Sequence, residues 1–118
     1  MEKYALYESE LKVMDIVWEN EPITAKEVSV LAEQMHGWNK NTTYTVLKKL
    51  VEKKIIRRGE PGFVCRAIVK KSHVQQAETK RLIDKLYDGS KKAFFSAFID
   101  GELTEEEIDE LKKMLDER

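Results

Sequence analysis

Between Trp38 and Lys53 the apolar residues Val46, Leu47, Leu50 and Val51 recur at helical spacing, with Thr43 on the same side. That is the buried stripe of an amphipathic helix. At about 100° per residue the opposite face carries Asn41, Thr45 and Lys48, with Thr42, Tyr44 and Lys49 on its flanks. Asn39 is the expected N-cap. The outward face is thus an amide, hydroxyls, a phenol and ammonium groups, with no carboxylate before Glu52. A surface helix that is merely solvated mixes both signs of charge. This inventory suits base edges and phosphates.

The same periodicity predicts two helices upstream. Tyr7 to Trp18 carries a stripe of Leu11, Met14, Val17 and Trp18, thickened by Val13, and Pro22 disfavours helix at Glu21. Ile23-Thr24-Ala25-Lys26-Glu27-Val28 combines a capping box (Thr24, Glu27) with a hydrophobic staple (Ile23, Val28). The helix it starts is expected to bury Val28, Leu31, Ala32 and Met35. It stops at His36-Gly37, where His36 suits the negative helix end. Two short helices, a glycine turn and a polar-faced third helix make a helix-turn-helix.

Downstream the period changes. Ile55-Ile56-Arg57-Arg58, the turn Gly59-Glu60-Pro61-Gly62 and the strand-like run Phe63 to Val69 predict a β-hairpin. A hairpin directly after a helix-turn-helix is a winged helix. Lys40, Arg57, Arg58, Arg66 and Lys71 are the candidate phosphate contacts of helix and wing. Cys65 within the strand reads as a small packed hydrophobe.

Three more helices follow. One runs from a cap at Ser72 to Asp88 with a stripe of Val74, Ala77, Leu82, Ile83, Leu86 and Tyr87. The next begins after Gly89-Ser90 and contains Ala93, Phe94, Phe95, Ala97, Phe98 and Ile99. The last repeats the capping box (Thr104, Glu107) and the staple (Leu103, Ile108), and is expected to bury Ile108, Leu111 and Leu115. Such a trio has more apolar surface than it can bury alone, which predicts pairing with a second copy. Leu82, Ile83, Leu86, Tyr87, Phe94, Phe95, Phe98, Ile108, Leu111 and Leu115 are the candidate dimer residues. The fold class is therefore mainly α with a small β-hairpin wing. Residues 1–71 are expected to form a winged-helix DNA-binding domain, and residues 72–118 a three-helix dimerisation domain.

Charge sharpens this picture. The 118-residue chain has a net charge of −1, but residues 38–71 carry +8 against −5 for residues 1–37 and −6 for residues 99–118. A basic block inside an acidic chain is the footprint of a polyanion binder. The runner-up is a winged helix that docks this basic face on an acidic protein. That reading leaves unexplained why helix and wing are both basic. An enzyme has little support. There is one cysteine, the two histidines stand in separate contexts, and there is no glycine-rich phosphate loop. No metal site and no cofactor are expected. The opening Met1-Glu2-Lys3-Tyr4-Ala5-Leu6-Tyr7-Glu8 lacks the pattern of a signal peptide, and no run is apolar enough for membrane insertion, so a cytoplasmic protein is expected.

The order of elements and several strings resemble the penicillinase and methicillin-resistance repressors, the BlaI/MecI type grouped with the copper-responsive CopY type. The strings are Glu10-Leu11, Val13-Met14, Val17-Trp18, Pro22 to Val28 and Trp38-Asn39 with Thr42, Thr45, Leu47 and Leu50. Asp88-Gly89-Ser90, Phe98, Leu103 to Ile108 and Glu110-Leu111 complete them. The resemblance implies a homodimeric repressor on a palindromic double-stranded operator, with helix 38–53 in the major groove. Thr42, Thr45, Lys48 and Lys49 fall where that family meets DNA, with Asn41 and Tyr44 on the same helix. Lys49 stands where relatives often carry arginine, and a lysine lacks the planar two-point contact to guanine. A membrane sensor-protease cuts the antibiotic-resistance members at an Asn-Phe bond. The aligned pair here is Ala97-Phe98, which makes it the implied regulatory cleavage position. The copper-responsive members end in Cys-x-Cys motifs, whereas this chain has no cysteine after Cys65. Lys54 occupies the place of the family's usual glycine, where a left-handed conformation is expected.

Overall fold

The computed structural model describes residues 5–118. The signal-peptide reading rests partly on residues 1–4, which lie outside the described residues. Nine elements follow in order: α1 (Glu8–Asn20), β1 (Ile23–Thr24), α2 (Ala25–His36), α3 (Lys40–Glu52), β2 (Ile56–Gly59), β3 (Val64–Ala67), α4 (Lys71–Leu86), α5 (Lys91–Gly101) and α6 (Glu105–Asp116). The chain divides into two compact units between Glu78 and Thr79. The division falls inside α4 rather than at 71/72. One reason is Val74, which α4 delivers into the core of the first unit.

In the first unit, α1, α2 and α3 pack around Val13, Met14, Ile16, Val17, Val28, Ala32, Val46, Leu47 and Leu50. The stripe of α1 is wider than its spacing suggested, since Ile16 is buried too. In α2 the core-facing line is Ala25, Val28, Ser29 and Ala32, all buried, whereas Met35 is 60% exposed. The core ends one turn before Met35, and the small residues on that line let α2 approach its neighbours closely. The expected caps are present. Thr24 accepts from the Glu27 amide at 3.1 Å while its own amide donates to Glu27, and Asn39 accepts from Thr42 at 2.9 Å. Gly37 closes α2 at φ 70°. On α3, the Thr43 hydroxyl is buried with no hydrogen-bond partner, a cost of about 1–3 kcal/mol that its methyl packing must offset.

The hairpin is part of a three-stranded antiparallel sheet of order β1-β3-β2. β1 is additional to the expected hairpin. Ile23 and Thr24 pair with Cys65 and Val64. Two residues carry no readable period, and they also serve as staple and cap for α2. β2 and β3 pair Ile56 with Ala67, Arg57 with Arg66, Arg58 with Cys65 and Gly59 with Val64. Cys65 is fully buried, and that burial pushes its thiol up to about 11, so it is an inert core group at neutral pH.

One ion pair spans the first unit. The Lys53 ammonium, at the end of α3, donates to Glu10 at 2.9 Å and to the Ala5 carbonyl at 3.1 Å. Glu10 is 2% exposed and also accepts the Tyr7 amide at 2.8 Å. One carboxylate thus starts α1 and holds the far end of α3.

α4 begins at Lys71, so Ser72 lies within its first turn instead of capping it. The turn closes one residue earlier because the Val74 amide donates to the Lys70 carbonyl at 3.2 Å. In the second unit Ser90 caps α5, and Thr104 and Glu107 form the capping box of α6. Of residues 79–118 only Ile83 is buried. Leu86, Phe95 and Leu115 are 64%, 56% and 70% exposed, and Leu82, Phe98 and Leu111 also face solvent. Within one chain, then, Leu111 and Leu115 are not buried as their spacing predicted. Ile108 is half-buried, as are Tyr87 and Phe94, whose rings meet edge-on at 5.5 Å.

α3 ends in a Schellman turn. The Lys54 amide donates to the Val51 carbonyl at 3.0 Å, and the Ile55 amide to the Leu50 carbonyl at 2.9 Å. Leu50 and Ile55 are both fully buried, which is the apolar contact this motif favours. Lys54 sits at φ 62°, the left-handed region where a β-carbon is costly. Lys54→Gly is therefore expected to stabilise the protein by about 1 kcal/mol, read as a higher urea midpoint at unchanged slope. A lower midpoint would mean that the lysine side chain contributes more than its backbone costs.

Candidate nucleic-acid interface

The outward face of α3 is built by what lies beneath it. Thr43, Val46, Leu47 and Leu50 are buried, which forces Asn41, Thr42, Thr45, Lys48 and Lys49 into solvent. Thr45 donates its hydroxyl proton to the Asn41 carbonyl at 2.9 Å, leaving its oxygen to accept from outside. Tyr44 differs from these, because it is half-buried and packs against the core. Its ring meets Phe63 edge-on with centroids 6.1 Å apart, and the Lys40 ammonium lies 5.6 Å from the Tyr44 centroid.

The hairpin divides its arginines between two faces. The pairing register puts Arg58 on the side of Ile56 and Cys65, and Arg57 with Arg66 on the other. Arg58 lies over Phe63, its guanidinium carbon 3.8 Å from the ring centroid. It also donates to Glu60, whose carboxyl is held below its ordinary range, chiefly by that bond and then by the Phe63 amide. Arg58 completes a groove of about 530 Å³ whose other walls are Thr45, Lys48, Lys49, Val51 and Glu52. Helix and wing thus share one cationic concavity.

Arg57 and Arg66 stand directly opposite each other on adjacent strands, and both are exposed. Like charges so placed destabilise a hairpin. An external anion would turn that repulsion into attraction. Lys71 is drawn elsewhere, to Asp15 of α1 at 3.4 Å. Lys53, inside the same basic block, is committed to Glu10. The block therefore presents fewer free cations than its composition suggests.

Sequence reasoning missed Phe63 and Glu60 as organisers of this surface. Phe63 looked like the start of a strand. It sits instead at φ 51° in the turn after Gly62, and its carbonyl accepts the Ala25 amide at 2.9 Å. The one signal available was a large aromatic directly after Pro61-Gly62, beside the arginines of the hairpin. Among the described residues no group of His, Cys, Asp or Glu is placed to hold a metal ion, and no helix is long and apolar enough to cross a membrane. Ala97 and Phe98 lie inside α5, with the Phe98 ring 5.1 Å from that of Phe94.

The family model for the penicillinase repressor matches residues 6–117. The methicillin resistance regulatory protein MecI of Mammaliicoccus sciuri is 25% identical over 118 residues, covering 98% of this chain and 96% of the relative. The penicillinase repressor of Staphylococcus aureus is 28% identical over 112 residues, covering 92% and 89%. Among solved structures, the DNA-binding domain of the repressor BlaI superposes with a TM-score of 0.53 at 26% identity, covering 57% of this chain and 84% of that domain. The monomeric form of Bacillus licheniformis BlaI in complex with the blaP half-operator gives 0.52 at 26% identity, covering 58% and 85%.

The facing arginines yield a test that needs no nucleic acid. Arg66→Thr removes the repulsion and keeps a good strand former. It is expected to raise the thermal midpoint at low salt by the equivalent of about 0.5 kcal/mol. The gain should shrink in 1 M salt, where exposed charges are screened within about 3 Å. An unchanged or lower midpoint at low salt would show that the two guanidiniums do not oppose each other.

Proposed function

The chain belongs to the penicillinase repressor family and is a DNA-binding transcriptional repressor; from that premise we propose that it acts as a homodimer on a palindromic operator, with α3 in the major groove. What carries this reading is the shared cationic groove between α3 and the wing, lined by Lys48, Lys49 and Arg58. Asn41, Thr42, Thr45, Lys48 and Lys49 meet base edges, where amides and hydroxyls suit adenine and mixed partners and ammonium groups suit guanine acceptors. Lys40, Arg57, Arg58 and Arg66 meet phosphates and supply most of the affinity. Lys71 joins them only by leaving Asp15. Repression follows from occupancy of promoter DNA in the cytoplasm.

The second unit supplies the second copy. Leu82, Leu86, Phe95, Phe98, Leu111 and Leu115 are exposed within one chain. That is more apolar surface than a 40-residue helical trio keeps wet. Ile83, Tyr87, Phe94 and Ile108, already partly packed, back this face. Two copies would present two α3 helices to half-sites about one helical turn apart. A membrane sensor-protease acting at Ala97-Phe98 would have to open α5 first, since a protease takes its substrate extended.

Selection from random duplexes at near-physiological salt is expected to return a palindrome holding two protomers. On that operator Lys48→Ala should lose affinity and relax selectivity at one position, by about 1–3 kcal/mol. Arg57→Ala should weaken operator and random DNA alike and reduce the salt slope by about 0.9. Equal losses on operator and random DNA for both variants would remove Lys48 from the base-reading set. Selection without enrichment would leave the basic face to an acidic protein partner.

The dimer is tested separately by sedimentation. Wild type should sediment as two chains at micromolar concentration, and Leu115→Glu as one, with helicity retained. A wild-type monomer at every concentration would refute the dimer while leaving the winged-helix reading intact.

A further inference from the structure

Tyr44 occupies a place on α3 that its neighbours do not share. Asn41, Thr45 and Lys48 project into solvent, but the Tyr44 ring turns aside onto Phe63 of the wing. An edge-to-face pair at 6.1 Å and 84° is the preferred geometry of two aromatic rings. Phe63 is nearly buried at 7% exposure and holds a left-handed backbone that a phenylalanine seldom adopts. Such strain persists only where the surroundings enforce it. Three contacts do so here. The Phe63 carbonyl accepts the first amide of α2, its amide donates to Glu60 at 3.3 Å, and its ring is held by Tyr44. On that same ring lies Arg58, steadied by Glu60.

We infer that Tyr44 is a positioning residue of the DNA-binding surface, one that sets the wing against α3 through Phe63 and so presents Arg58 to a phosphate, rather than a residue that reads a base. This rests on the proposed DNA-binding role of α3 and the wing. The acting part of Tyr44 is its ring, which meets Phe63 at 84°, and not its hydroxyl. Glu60 holds the Arg58 guanidinium over the ring in free protein, and a backbone phosphate would take over that charge-assisted bond on binding.

The hydroxyl and the ring can be separated. Wild type is first selected against random duplexes, and failure to enrich any sequence would strike the underlying reading before a variant is made. On the selected operator and a random duplex, Tyr44→Phe is expected to bind within about twofold of wild type, because the ring pair is kept. Tyr44→Ala should weaken both duplexes by the same factor, roughly three- to tenfold, and lower the salt slope by about 0.9. In an Arg58→Ala background Tyr44→Ala should change the slope no further, since the contact it positions is gone. Tyr44→Leu keeps apolar cover over the core but has no aromatic edge, and should follow Tyr44→Ala. A Tyr44→Phe protein with altered preference at one base pair would overturn the inference by assigning the hydroxyl to base reading. Additive losses with Arg58→Ala would overturn it too, as would a Tyr44→Leu protein that binds like wild type.

Discussion

The connection between α3 and the sheet constrains the whole cationic face of the first unit. α3 ends at Glu52 and β2 starts at Ile56, and the intervening turn is locked by Leu50 and Ile55, both fully buried. The Ile55 carbonyl then accepts the Ile68 amide at 2.8 Å, tying the root of the hairpin to the end of the helix. The wing cannot swing at its root without breaking that core contact. At its tip, Phe63 is held by the α2 amide and by Tyr44. Two separated points of attachment make a hairpin into a rigid appendage, whereas one would leave a hinge. Lys54 bears the backbone cost of the first point and Phe63 that of the second, each at positive φ.

The electrostatics follow from this rigidity. A chain with ten basic residues between positions 38 and 71 could have been a diffuse polyanion trap. The fold pairs some of that charge with its own carboxylates. Lys53 is taken by Glu10, Lys71 by Asp15 and Arg58 by Glu60, while Arg57 and Arg66 stand opposite each other in the strand register. The paired cations cost something to release, and the unpaired ones gain most from an anion. In the proposed operator complex such a division would favour one fixed geometry of phosphates over any duplex. It also explains why net charge alone, −1 for the chain, says so little about the partner.

Much of the fold could be read from the chain because its signals are local. The capping boxes at Thr24 and Thr104, the cap at Asn39 and the glycine at Gly37 all act within a few residues, and each is found in place. The buried stripe of α3 belongs to the same class, whereas the left-handed Lys54 is implied only by the family resemblance. What stayed hidden depends on distant partners. β1 exists only because Val64 and Cys65 arrive beside it. Nothing near Glu10 in the chain signals its burial, which depends on an ammonium 43 positions away. Tyr44 appeared as one more polar group on an outward face, and only the position of Phe63 shows that its ring is engaged. Periodicity located the apolar stripes of α5 and α6 and pointed to a second copy to cover them, but not to which of their residues one chain leaves exposed.

That last gap bears on how the two units work together. The first unit closes its own core, with Met14, Leu47, Leu50, Ile55 and Val74 all within 1% of full burial. The second unit is the reverse, with caps on α5 and α6 well formed and almost nothing buried. Capping fixes where a helix starts but contributes only about 1 kcal/mol each, too little to hold helices of this length together in water. The missing stabilisation must come from burying the apolar face. In the proposed dimer it would come from association, so folding of the second unit and pairing of the chains would be one equilibrium. Anything that opens α5 would then weaken operator binding without touching a single DNA contact, because each half-site alone holds only one α3.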